Sequence, residues 1–119
     1  MKLLTLASTI AAFSLLNQVD ANAEYRCQGH TFTADYIHTV AAYAWRVELN
    51  THGSFPQVAQ LAPQSSGYGP ARQFPLLTSG QIWQGGSCNY VVNSNRDRTV
   101  LEVYEFINNS WEFCRATNL

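Results

Sequence analysis

Gln73-Phe74-Pro75-Leu76-Leu77-Thr78-Ser79-Gly80, continuing through Ile82-Trp83 to Gly85-Gly86-Ser87, is the stretch from which the fold is read. Phe74, Leu76 and Leu77 make an apolar run of strand length, and Ser79-Gly80 and Gly85-Gly86 bracket a second short run with residues suited to reversals. Downstream the pattern repeats. Strands are expected over 89–92, 100–106 and 111–113, separated by the polar 93–98 stretch and by Asn108-Asn109-Ser110. Upstream, 73–77 is preceded by a strand-like run at 55–61 and by the irregular 62–71 piece. That piece carries Pro63, Gly67, Gly69 and Pro70 and is expected to be an exposed loop.

Before residue 55 the period changes. Ile37, Val40, Ala41, Ala44 and Val47 follow at helical spacing, Thr33 is suited to the N-cap, and Asp35 falls in the first turn. One helix ending near Asn50, closed by Gly53 and its polar neighbours, is expected. One helix followed by a meander of short strands reads as an α+β domain, the helix packed on a short-stranded antiparallel sheet.

The first residues have a different character. An apolar run over 3–16 gives way to polar residues 17–20 and to Ala21-Asn22-Ala23, the order of a secretory signal with its cleavage site. The run is interrupted by Thr5, Ser8, Thr9 and Ser14 and is shorter than the about 20 apolar residues of a membrane span, so no membrane association is expected. Residues 1–23 are assigned to the signal and 24–119 to one domain.

Cys27, Cys88 and Cys114 allow three single-bridge pairings, and an oxidising secretory route favours at least one bridge. Beyond residue 23 every cation is an arginine, namely Arg26, Arg46, Arg72, Arg96, Arg98 and Arg115, so this part of the chain offers no lysine amine for ubiquitination. The formal net charge of −1 marks no nucleic-acid partner.

The 73–87 stretch closely resembles the guanyl-specific fungal ribonucleases, which show a Glu-aromatic-Pro-Ile-Leu-Ser-Ser-Gly segment followed by Gly-Gly. Cys27, Gly29 and Phe32-Thr33 are similar to the enzymes' N-terminal half, and Cys114 stands where their last cysteine stands. A second resemblance is to the secreted ribonuclease-like effectors of powdery mildew fungi, which carry an aromatic-x-Cys motif at the mature start; here it is Tyr25-Arg26-Cys27. The resemblance implies a ribonuclease-like fold with one disulfide. The expected pairing is Cys27 with Cys114, leaving Cys88 reduced.

The enzymes' chemistry needs a base for the 2′-hydroxyl proton, an acid for the leaving oxygen and cations for the charge on phosphorus. Residue by residue, the resemblance implies that these groups are gone. Gln73 stands at the enzymes' glutamate, and Phe55-Pro56-Gln57 matches their Tyr-Pro-His. Tyr90 falls near their arginine and Phe106 near their histidine acid. His30, His38 and His52 lie outside the strands expected to line a cleft and are read as surface or capping residues, with no metal-ligand spacing. Glu102 and Glu105 sit on the penultimate strand, where a carboxylate facing the cleft would be a substitute base.

A non-catalytic secreted effector without cofactor or metal is therefore expected, a monomer that is delivered into the host cell and binds host plant proteins. The resemblance adds an intracellular immune receptor that recognises it as an avirulence factor. RNA binding is expected to be weak or absent. Tyr68, Arg72, Arg96 and Arg98, on exposed connections, are the expected anchors for a partner, and Asn108 heads a glycosylation sequon. Two other readings compete: an active ribonuclease with relocated groups, and a catalytically dead RNA-binding module.

Overall fold

The computed structural model describes residues 23–62 and 69–118. Helix α1 spans Ala34–Arg46 and begins as the sequence predicts, with Thr33 Oγ1 accepting the Tyr36 N–H at 3.2 Å and Asp35 in the first turn. Ile37, Val40, Ala41 and Ala44 are buried, and the two alanines allow close approach to a sheet. The helix stops at Arg46 rather than near Asn50. Arg72 donates to the Ala44 and Val47 carbonyls, both at 2.8 Å, satisfying acceptors that a further turn would have used. Asn50 N–H then bonds Pro56 O at 2.9 Å, and a bridge joins His52 to Phe55, so Gly53 lies in this reversal and not at the helix end.

The strands are β1 (Glu24–Arg26), β2 (Thr31–Thr33), β3 (Gln57–Ala59), β4 (Ala71–Pro75), β5 (Tyr90–Asn95), β6 (Leu101–Ile107), β7 (Ser110–Phe113) and β8 (Arg115–Thr117). They form two antiparallel sheets, β2-β1-β8 and the five-stranded β3-β4-β5-β6-β7. The meander agrees with the expected fold class, while the smaller sheet was not expected and the meander itself differs in detail. The expected strand over 81–83 is only a bridge between Leu76 and Ile82, while Asn93, Ser94 and Asn95 belong to β5 rather than to a turn.

α1 packs on one face of the larger sheet, where Phe74, Val92 and Val103 align across β4, β5 and β6 beneath Ile37, Val40 and Ala44. Phe55 and Trp83 close this core, their rings edge to face at 5.4 Å. The smaller sheet adds Tyr25 and Phe32. Ala23 is also buried, and its carbonyl accepts the Ala34 N–H at 3.0 Å; cleavage after Ala23 would leave that N–H to water.

A covalent bond also ties the two sheets. The Cys27–Cys114 disulfide joins the end of β1 to the link between β7 and β8, and Cys88 is free, as expected. Beside it, buried Glu105 accepts Gln28 N–H at 2.7 Å and Gly29 N–H at 2.9 Å. A Cβ at Gly29 would lie 2.6 Å from Tyr90 Oη and 2.7 Å from Glu105 Oε2, so any larger residue would push these side-chain ends out of their present positions. Glu105→Ala leaves two backbone donors without their acceptor and is expected to cost about 2–3 kcal/mol in urea unfolding. Wild-type stability in this variant would remove the tie from the account.

Asn108 and Asn109 have φ of 51° and 65°, the two positive values that a two-residue hairpin turn between β6 and β7 requires. The sequon asparagine is thus exposed at a hairpin tip. Protein secreted from a eukaryotic host is expected to carry a glycan at Asn108, read as added intact mass that Ser110→Ala removes.

Candidate functional site

Side chains alternate across a strand, so the residues between those facing α1 line the opposite face of the larger sheet. Its first row is Gln57, Gln73, Asn93 and Glu102, in register across β3, β4, β5 and β6. The amides form a relay. Gln57 Nε2 donates to Gln73 Oε1 at 2.7 Å, and Gln73 Nε2 donates to Asn93 Oδ1 at 2.9 Å. The next row is Pro75, Val91, Tyr104 and Phe113, and the last is Phe106 opposite Trp111.

Glu102 is the carboxylate on this face, and it is buried and occupied. Its oxygens accept Ala62 N–H at 3.1 and 3.2 Å and Tyr104 O–H at 2.9 Å. Burial, and then the bond to Glu102 and its charge, push the Tyr104 phenol well above its ordinary value. Glu102 therefore holds the segment after β3 against the sheet instead of facing open solvent. Glu105 lies on the other face.

The five positions matched to the ribonuclease groups do not form one cluster. Gln57 and Gln73 touch, and Phe106 shares their face farther along β6. Phe55 does not: it packs into the core against Phe74 and Trp83. Tyr90 also leaves this face, its ring 5.1 Å from Phe32 and its hydroxyl directed at Glu105. Burial first, and then Glu105, raise the Tyr90 phenol above its ordinary value. The β5 residues that accompany Gln73 are the uncharged Val91 and Asn93.

The face ends in four aromatic side chains, of which the sequence reading singled out Phe106 and not Tyr104, Trp111 or Phe113. Tyr104 and Phe113 meet edge to face at 5.2 Å, and Phe106 and Trp111 lie 5.1 Å apart. Phe106 is 42% exposed, Trp111 44% and Phe113 54%. A signal was present in β6, where Glu102, Tyr104 and Phe106 alternate with Leu101, Val103 and Glu105.

The other candidates lie elsewhere. Arg72 and Arg96 both lie over the Trp45 ring, their guanidinium carbons 4.6 and 5.1 Å from its centroid, and Arg72 is also spent on the helix end. Arg98 is exposed in the β5–β6 turn. Together with burial, which acts first, its charge lowers the His38 pKa against the opposing pull of Asp35. Tyr68 lies outside the described residues. The histidines are half-buried rather than on the surface: His52 Nε2 is 2.8 Å from Tyr43 Oη, and His30 packs against Phe32. The grouping Cys27, Glu105 and Cys114 has the spacing of metal ligands, but both sulfurs are in the disulfide. Among the described residues no helix is long and apolar enough to cross a membrane.

No protein-family model matches the chain. It is 28% identical over 102 residues to the secreted effector CSEP0064 of Blumeria graminis f. sp. hordei (strain DH14), covering 86% of each chain. Its fold is similar to the crystal structure of the BEC1054 RNase-like effector from the fungal pathogen Blumeria graminis, with a TM-score of 0.67 and 24% identity. That match covers 80% of this chain and 97% of the other. The ribonuclease-like fold expected from the residues agrees with the structural comparison, and the resemblance to the powdery mildew effectors agrees with both comparisons.

Proposed function

We propose that this chain is a secreted, non-catalytic ribonuclease-like effector that acts by binding host plant proteins. One observation carries the loss of catalysis: the positions matched to the enzymes' glutamate and to the histidine of their Tyr-Pro-His are Gln73 and Gln57, amides hydrogen-bonded to each other and on to Asn93. Amides have no proton equilibrium near neutrality, and the adjoining carboxylate, Glu102, is engaged by Ala62 and Tyr104. Secretion and the effector role come from the similarity to CSEP0064 and from the signal-like residues 1–23.

Protein rather than RNA is the favoured partner because this face offers aromatic and amide groups with a carboxylate, whereas an RNA backbone requires cations. Recognition by an intracellular immune receptor belongs to the same reading. The test is affinity capture from plant tissue with the secreted protein, beside a reduced and unfolded control. Defined host proteins retained after ribonuclease treatment are the expected result. Capture that ribonuclease abolishes would replace this reading with an RNA-binding module.

A further inference from the structure

Strand β7, Ser110–Phe113, is an edge of the larger sheet and is exposed throughout. Sheet edges are commonly guarded by lysine, proline or a bulge, because unpaired backbone groups invite another strand. β7 has neither lysine nor proline, and its four residues pair in continuous register with β6. Cys114 N–H bonds inward to Val103 O at 2.8 Å, so by antiparallel alternation the backbone groups of Trp111 and Phe113 point outward. These two residues also carry exposed aromatic side chains that continue the Tyr104 and Phe106 patch.

We propose that β7 is a docking edge that takes one extended segment of a host protein as an added antiparallel strand, a segment of alternating apolar and basic residues. The inference rests on the protein-binding reading above and names its surface. The pattern follows from the edge. Residues opposite Trp111 and Phe113 meet aromatic rings on one face, while the residue opposite Glu112 meets an exposed carboxylate on the other. A second copy of this chain fits less well: the register that sets Trp111 against Phe113 sets Glu112 against Glu112.

The test is ¹⁵N NMR titration of the secreted, disulfide-bonded protein with a synthetic peptide alternating valine and lysine over about ten residues. Its counterpart alternating valine and glutamate, and a single-stranded RNA oligonucleotide, serve as comparison probes. Shift changes and slowed amide exchange confined to β7 and its β6 neighbours are expected with the lysine peptide. Trp111→Lys and Phe113→Lys should each weaken binding about tenfold or more. Glu112→Lys should transfer the preference to the glutamate peptide. These side chains are exposed, and an unchanged spectrum elsewhere verifies folding.

The proposal is overturned by no response to the lysine peptide, by a response elsewhere, by edge variants that bind as wild type, by the RNA oligonucleotide alone occupying the patch, or by self-association through β7. Capture from plant tissue separates the two readings. If wild type and Trp111→Lys retain the same host proteins equally, the edge is wrong and the protein-binding reading stands. If wild type retains none, that reading fails and the peptide titration still decides the edge.

Discussion

A guanosine-containing oligonucleotide incubated with the purified secreted protein is expected to remain intact under conditions in which an authentic fungal ribonuclease cleaves it completely. A positioned acid or base is worth about 10²- to 10⁴-fold, and loss of one donor to a developing oxyanion costs about 10²- to 10³-fold. Here Gln57, Gln73, Val91, Asn93 and Phe106 occupy the face opposite α1 without a charge among them. Such losses are not additive, but the combined deficit should exceed that from any one group. Gln73→Glu should therefore not revive cleavage, since a base alone leaves the leaving oxygen without an acid and the phosphate without a cation. Metal-independent cleavage after guanosine, abolished by Glu102→Gln, would sink this expectation and make Glu102 the working base. Glu105 and His52 are poorer choices for that control. Glu105 is bound to Gln28 and Gly29 on the other face, and His52 is bound to Tyr43.

Cys114→Ser should produce the largest loss of stability of any single replacement considered. The bridge spans a sequence separation of 87 residues, and opening a loop of that length costs about 4–5 kcal/mol in the chain-entropy model. A domain of this size has a total stability of about 5–15 kcal/mol, so the variant should be near the threshold of unfolding. Urea midpoints of wild type, Cys114→Ser and Cys88→Ser decide the matter. Cys88 is half-buried, with burial raising its thiol pKa, and makes no bridge, so its replacement should change stability by less than about 1 kcal/mol. A Cys114→Ser midpoint equal to wild type, or a larger loss at Cys88, would be incompatible with this arrangement.

Some of the architecture was legible because its causes are local. Thr33 caps a helix with the side chain it carries, the Ser79-Gly80 and Asn108-Asn109 reversals follow from residues that tolerate positive φ, and runs of strand length lie between them. The missed strands had no such signal. β1, β2 and β8 are three residues long, too short to show a period, and exist because they pair with one another. The helix end was misplaced because its cap comes from Arg72, distant in sequence.

By itself the sequence determined the residue chemistry: amides at 57 and 73, a cysteine at each end of the domain, and arginine as the cation beyond residue 23. Which side chains meet was decided by tertiary structure. Strand side chains alternate with a period of two, so a one-residue difference in register exchanges the faces. That is why Tyr90 turned into the core, why Val91 and Asn93 joined the face that carries Gln73, and why Glu102 but not Glu105 reached it; Phe55 precedes β3, in the reversal with His52, and packs into the core from there. Exposure of Trp111 and Phe113 was decided in the same way, because nothing in a four-residue strand shows whether another strand will cover it.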